Sequence, residues 1–141
     1  MDHDNMDPGI YTLIIWLDKE KEIQVGSLGR ISFMKGYFAY TGSARGPGGV
    51  IRVKRHLDVL SGLNTARRWH IDYLLPDASF EDVVITYTMQ DLECVIAQKI
   101  GAELTSIPGF GCTDCRCPSH LHFSTGPENM YVVVKRAHSD M

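Results

Sequence analysis

An aromatic segment that leads into a glycine-rich loop and then a basic segment constrains this chain more than any other feature. Residues 37–40 have the aromatic composition of a strand, and the glycines and proline at positions 42–49 are expected to end it. A helix is predicted from Val50, because apolar and basic residues then fall on separate arcs. Glycines admit backbone N–H groups close to an anion, and arginine matches phosphate oxygens, so the segment predicts a phosphate-facing site. The alternative is a solvated amphipathic helix after an ordinary loop. The apolar arc holds Val50, Val53, Leu57 and Leu60, and the other holds Arg52, Arg55 and His56.

The positive charge is concentrated in one stretch, although the 141 residues carry a formal net charge of −3. Residues 45–68 contain six basic side chains and one acid, which leaves eight basic and 16 acidic side chains elsewhere. A basic patch on an acidic protein suits an anionic partner that is steered to one face. Apolar runs stay below membrane-spanning length and the first residues are acidic, unlike a signal peptide, so a cytoplasmic location and no membrane partner are expected.

The order of predicted elements indicates an α+β fold with a mixed, mainly antiparallel central sheet flanked by about three helices. One domain is expected over residues 9–136, with tails at 1–8 and 137–141. An antiparallel meander is predicted for the first 42 residues. Later strands are expected at 82–89 and 131–135, and later helices at 66–75 and from the capping-box sequence at 88–91 onward. In the last helix the predicted buried stripe is Leu92, Val95, Ile96 and Ile100, with Leu104 as a further candidate.

Polar residues within the second predicted helix need partners if they are buried. His70 and Asp72 alternate with apolar residues there, and a satisfied structural pair is favoured over a catalytic one. Trp69 and Tyr73 lie one turn apart and are expected to pack.

The cysteine- and histidine-containing loop at 109–123 has enough soft ligands for a zinc ion. Three of the four cysteines are crowded between positions 112 and 117, which in a reducing compartment favours thiols or metal ligands over disulfides. A buried or redox-responsive thiol loop is the alternative, because zinc modules usually draw ligands from two separated pairs. The candidate zinc ligands are Cys112, Cys115, Cys117 and His120, with His122 close by in sequence.

Two triplets, Gly9-Ile10-Tyr11 and Tyr40-Thr41-Gly42, resemble the paired motifs of the GIY-YIG endonuclease superfamily. The arginine and histidine that follow at an i, i+4 spacing are matched by Arg52 and His56, and a glutamate that opens a later helix is matched by Glu93. The motifs at 42–44, 55–56, 69–72 and 109–112 are similar to an archaeal and bacterial branch found alone or appended to endonuclease III-type repair glycosylases. The triplets are farther apart than in homing and excision-repair nucleases, and the loop after the second one is longer.

The resemblance implies a metal-dependent endonuclease that acts on nucleic acid, with DNA repair as its setting and a repair glycosylase as a partner. Glu93 would hold one Mg²⁺ or Mn²⁺, and Arg52 would neutralise the developing phosphorane charge. His56, Tyr11 or Tyr40 would orient or deprotonate the water, although an unperturbed tyrosine pKa near 10 makes a poor base. The residues expected to contact nucleic acid are Ser43, Arg45, Lys54, Arg55, Arg67 and Arg68.

Ordinary structural roles compete with these assignments. A glutamate in a first helical turn favours the helix dipole, and strand tyrosines commonly pack. A non-catalytic nucleic-acid-binding module on the same fold is therefore the alternative to the nuclease. A third hypothesis is a thiol or zinc protein whose function centres on residues 112–117.

Overall fold

A computed structural model describes residues 7–44, 51–111 and 117–139 of the chain. The fold is α+β, with a five-stranded sheet in the order β5-β1-β4-β7-β6 and a separate β2-β3 sheet. All strand pairings among the described residues are antiparallel. The strands are β1 (Gly9–Leu17), β2 (Lys21–Gln24), β3 (Arg30–Phe33), β4 (Gly36–Ala44), β5 (Ser79–Tyr87), β6 (Thr105–Ser106) and β7 (Leu121–Ser124), and the helices are α1 (Ile51–Ser61), α2 (Ile71–Leu74), α3 (Glu93–Gly101) and α4 (Pro127–Ser139).

Strand β1 lies inside the sheet and is apolar on both faces, as a strand covered on both sides must be. Because successive side chains point to opposite faces, its residues divide between two cores. Leu13 and Ile15 pack with α1 and α2 on one face. Ile10 and Ile14 pack with α3 and α4 on the other. The two cores hold the helices on opposite faces of the sheet.

The meander predicted for the first 42 residues is only partly correct. Strand β1 pairs with β4 along its whole length, from Gly9 opposite Ala44 to Leu17 opposite Gly36. Strands β2 and β3 form their own hairpin instead of lying between β1 and β4. Gly42 also does not end its strand, because β4 continues to Ala44 through this pairing.

The strand predicted at 131–135 is wrong, since these residues lie inside α4. Met130, Val133, Val134 and Ala137 follow the i, i+3, i+4, i+7 spacing of a helix face, and all four are buried against the sheet. Burial of this stripe outweighs the strand preference of three consecutive valines. The helix continues to Ser139, so residues 137–139, expected in the tail, belong to it.

The helix predicted at 66–75 shortens to α2, followed by a 3₁₀ turn at Leu75–Asp77. The backbone N–H groups before α2 donate to side-chain oxygens. Asn64 Oδ1 accepts the N–H of Ala66, and Asp72 Oδ2 accepts those of Arg68 and Trp69. Such local bonds compete with helical hydrogen bonding, which explains the late start.

The third predicted helix also begins later, because the capping box at 88–91 is not part of it. The Thr88 hydroxyl accepts the N–H of Gln90, and α3 starts at Glu93. Ile96 and Ile100 are buried as expected. Val95, predicted in the same stripe, is 44% exposed.

Candidate active site

Tyr11, Tyr40 and His56 form a tyrosine cluster where the start of β1, the end of β4 and α1 meet. The Tyr11 Oη and His56 Nε2 atoms lie 2.6 Å apart and form a hydrogen bond. The His56 ring packs edge-on against Tyr40, with their centroids 5.8 Å apart. Tyr11 and His56 are each 1% exposed and Tyr40 is 8% exposed. Three side chains that are distant in sequence thus form one buried polar cluster.

The position of the Tyr11 hydroxyl depends on Gly42. These two residues are register partners in the β1–β4 pair. A Cβ atom at position 42 would collide with Tyr11 Oη, so only glycine leaves room for the phenol. The glycine of the second triplet therefore lets the tyrosine of the first triplet lie across β4 and reach His56.

Burial keeps Tyr11 and His56 uncharged. It lowers the pKa of His56 to about 4, with nearby Arg55 and Arg52 acting in the same direction against the charge of Asp72. Burial also raises the pKa of Tyr11 well above its usual value, helped by Tyr40 and opposed by Arg52. At pH 7 both side chains are therefore neutral.

The two arginines of α1 differ in their surroundings. Arg52 is exposed; its Nη1 donates to the Ser43 carbonyl at 2.7 Å, and its guanidinium lies 5.0 Å from the Trp69 ring centroid. Arg55 forms two hydrogen bonds, of 2.9 and 3.1 Å, with the carboxylate of Asp72. Asp72 is fully buried, which by itself raises its pKa, but the hydrogen bonds from Arg55 and from backbone N–H groups leave the pKa lowered. Arg52 is thus the arginine that a phosphate can reach.

His70 and Asp72 are both satisfied, as favoured from the sequence, but by other groups. His70 Nδ1 accepts the N–H of Gly111 at 2.8 Å, and burial lowers the pKa of this histidine. Gly111 has a φ of 76°, a conformation that suits glycine, and its bond to His70 anchors the loop beside Tyr40.

The remaining residues predicted to contact nucleic acid have different surroundings. Lys54 and Arg67 are exposed, and Lys54 forms an ion pair of 3.2 Å with Asp58. Arg68 is exposed at the rim of a pocket of about 100 Å³, and Arg45 lies outside the described residues. The pocket is lined by Tyr40, Arg68, Trp69, His70 and Gly111.

Glu93 is the first residue of α3 and lies near both the tyrosine cluster and His120. Its charge is close enough to contribute to the raised pKa of Tyr11. Its Oε2 atom is 2.8 Å from Nδ1 of His120, and its side chain is 24% exposed. The five residues selected by the resemblance, Tyr11, Tyr40, Arg52, His56 and Glu93, are therefore brought together from β1, β4, α1 and α3.

A second group, the thiol cluster of Cys94, Cys117 and His120, adjoins Glu93 and could bind a metal ion. The Sγ atoms of the two cysteines are 3.0 Å apart, and His120 Nε2 lies 2.8 Å from Cys117 Sγ and 3.7 Å from Cys94 Sγ. The predicted ligand set was different: it lacked Cys94, and its Cys112 and Cys115 lie outside the described residues. Local spacing could not have revealed Cys94, because only the packing of α3 brings it to the loop.

The chain belongs to the family described as "Domain of unknown function DUF123", whose model matches residues 10–141. Comparison with curated proteins and with solved structures gave no match. Within the described residues, all helices are too short or too polar to cross a membrane.

Proposed function

We propose that the protein is a metal-dependent endonuclease with a GIY-YIG-type site that hydrolyses phosphodiester bonds in nucleic acid. The observation that carries this proposal is the convergence of the residues selected by the superfamily resemblance. The Tyr11 hydroxyl is hydrogen-bonded to His56, and the charges of Arg52 and Glu93 both act on it. Such a group supplies a proton acceptor, a phosphate-binding cation and a carboxylate, which are the components that hydrolysis requires.

His56 serves as the proton acceptor, with Tyr11 as the relay. His56 is neutral at pH 7 and its Nε2 faces the Tyr11 hydroxyl. As the attacking water transfers a proton to the Tyr11 oxygen, Tyr11 passes its own proton to His56, so a phenolate never has to form. A bound phosphate would raise the pKa of His56 toward neutrality, because a nearby negative charge favours imidazolium. Tyr40 lines the adjoining pocket and orients the water.

Arg52 binds and neutralises the phosphoryl oxygens. Its one hydrogen bond within the described residues uses a single N–H group, and guanidinium has five. Contact with Trp69 holds its guanidinium plane beside the cluster. Arg67 and Arg68, together with Lys54, bind the backbone of the nucleic acid without reading its sequence.

Glu93 holds the divalent cation, Mg²⁺ or Mn²⁺. A single, partly exposed carboxylate beside the tyrosine cluster fits a hard cation that keeps most of its water. When bound, the cation supplies positive charge that polarises the phosphate and the leaving oxygen. The soft ligands of the thiol cluster do not suit this ion and are considered separately below.

DNA within a repair process, with a repair glycosylase as partner, is the substrate setting that the family resemblance favours. A cytoplasmic, reducing compartment is the location proposed for it, since cysteines persist there as thiols or metal ligands.

One observation favours a non-catalytic nucleic-acid-binding module instead. Tyr11 and His56 are almost fully buried, and Arg55 is engaged by Asp72. A substrate would have to pass Tyr40 to reach Tyr11 and His56. A binding module needs only the exposed basic side chains around the pocket.

Cleavage of plasmid, flapped and single-stranded DNA in Mg²⁺, Mn²⁺ or EDTA tests the proposal. Glu93→Gln should lower metal-dependent cleavage about a hundredfold or more while keeping DNA affinity, because it removes charge that acts in the transition state. The matched control is Glu103→Gln, which changes an exposed carboxylate paired with Arg136 and should cleave like wild type. Salt-sensitive DNA binding without cleavage in any metal would favour the binding module.

A further inference from the structure

We propose that Cys94, Cys117 and His120 form a structural zinc site that ties the start of α3 to the segment before β7. This ligand set joins Cys94 of α3 to Cys117 and His120, which lie 23 and 26 positions later in the loop before β7. The three ligand atoms lie within 4.8 Å of one another. The proposal does not depend on the nuclease function.

The distances and the ligand chemistry both suit zinc. Tetrahedral coordination at ordinary Zn–S and Zn–N lengths separates two sulfurs by about 3.8 Å and a sulfur and a nitrogen by about 3.6 Å. The corresponding distances are 3.0 Å between the sulfurs, and 2.8 and 3.7 Å from the sulfurs to Nε2. The ligands therefore need to separate by less than about 1 Å to admit the ion. Thiolate and imidazole ligands favour zinc over the hard cations that carboxylates bind.

Glu93 completes the arrangement from outside the ligand shell. Its carboxylate lies 2.8 Å from His120 Nδ1, which leaves Nε2 directed at the two thiols. A histidine that ligates zinc through one nitrogen commonly donates its other N–H to a carboxylate, which fixes the tautomer and makes the ligand more basic. The distance between Glu93 and His120 Nδ1 is that of such a pair, although the angle at Nδ1 does not meet hydrogen-bond geometry.

The cluster is also held rigidly by its surroundings. Cys117 and His120 are 4% and 3% exposed. The backbone of His120 accepts the N–H of Thr41 in β4 and donates to Phe110. A buried site anchored to the central sheet suits an ion whose binding free energy adds to folding, with these residues as three of its four tetrahedral ligands. Its bearing on catalysis, which rests on the proposed function, is to hold Glu93 beside the tyrosine cluster through His120.

Metal analysis of protein purified from zinc-supplemented cells under reducing conditions tests the site without nucleic acid or Mg²⁺. Wild type should hold about one zinc per chain, and Cys94→Ser and Cys117→Ser should lose most of it. The control is His122→Gln, which alters a buried histidine outside the cluster and should keep the zinc. Glu93→Gln should weaken zinc affinity about 10- to 100-fold in competition with a chromophoric chelator, as loss of an outer carboxylate does.

Two measurements on wild type guard against variants that fail to fold. Removal of zinc should lower the melting temperature, and alkylation mapped by mass spectrometry should show that zinc protects Cys94 and Cys117. Absence of zinc from reduced protein, zinc retained by folded Cys94→Ser, or a Cys94–Cys117 disulfide in its place would each overturn the proposal. A negative zinc result would leave the nuclease proposal intact, since cleavage is assayed separately.

Discussion

Both faces of the central sheet bury histidines, and one from each face can be compared because burial lowers the pKa of each to about 4. On one face, His138 of α4 lies between two threonines: its Nε2 is 2.8 Å from Thr12 Oγ1, and its Nδ1 is 2.8 Å from Thr86 Oγ1. On the other face, His56 of α1 bonds Tyr11 through Nε2, while its Nδ1 has no hydrogen-bond partner among the described residues.

The difference between these histidines lies in their partners. Both nitrogens of His138 are bonded to neutral hydroxyls, so it can do little except hold α4 against β1 and β5. His56 is hydrogen-bonded to a tyrosine whose pKa is affected by the charges of Arg52 and Glu93, beside a pocket that Tyr40 lines. A lowered pKa therefore reports burial in both cases, and only the neighbouring groups distinguish a candidate proton acceptor from a structural residue.

The largest effect on cleavage is expected when the two histidines are replaced one at a time. His56→Gln should lower the cleavage rate constant about 10²- to 10⁴-fold, the range for loss of a general base. His138→Gln should leave that rate within a few-fold of wild type but lower the melting temperature, because it disturbs two buried hydrogen bonds. Single-turnover cleavage and thermal unfolding on the same preparations make the comparison. If both variants lose activity in proportion to their loss of stability, His56 is structural as well.

The next effect contrasts an arginine from each face. Arg52→Ala should reduce turnover about a hundredfold with a smaller change in DNA affinity, because a phosphate clamp acts mainly in the transition state. The control is Arg136→Ala on α4, which removes an exposed ion pair with Glu103 of 3.4 Å. This substitution should change neither turnover nor DNA affinity. A change of equal size in affinity and in turnover for Arg52→Ala would assign it to ground-state binding instead.

Much of the candidate active site could be predicted from sequence, because the spacing of residues along one helix is local information. Arg52 and His56 lie one helical turn apart, and Glu93 begins α3 as the resemblance implies. The burial of His56 could not be read in the same way, since it depends on Tyr11 arriving across β4 over Gly42.

The elements that sequence reasoning missed depend on distant partners. Three valines in α4 look like a strand until the sheet supplies a surface for the helical stripe. Arg55 looks like a phosphate ligand until Asp72, 17 residues later, is brought against it. Cys94 looks like an isolated helix cysteine until Cys117 and His120 meet it. In each case the deciding contact joins residues far apart in sequence, so composition and local spacing could not predict it.

A smaller effect concerns DNA binding on the face of the sheet that carries His56. Arg67 and Arg68 are both exposed and Arg68 lines the pocket, so each is expected to displace counterions from bound DNA. Arg67→Ala with Arg68→Ala should reduce the slope of log affinity against log salt by about 2, or less on single strands. Fluorescence anisotropy over a salt series measures it. The double variant Lys135→Ala with Arg136→Ala on α4 removes the same charge from the opposite face and should leave the slope unchanged.

The smallest effect is the acid sensitivity that the two faces should share. Each histidine has a pKa of about 4 when folded against an ordinary value near 6.5, so between these pH values the unfolded chain binds more protons than the folded one. Stability must then rise with pH through this window and be lost as pH falls from about 6.5 toward 4. Urea denaturation at pH 7 and pH 4.5 should therefore show a shallower acid loss in His138→Gln than in wild type, and the same in His56→Gln, because glutamine cannot take up the proton. An unchanged pH dependence in either variant would mean that its histidine is not held neutral. Equal acid slopes with unequal cleavage would establish that burial is common to both faces, whereas proton transfer belongs to one.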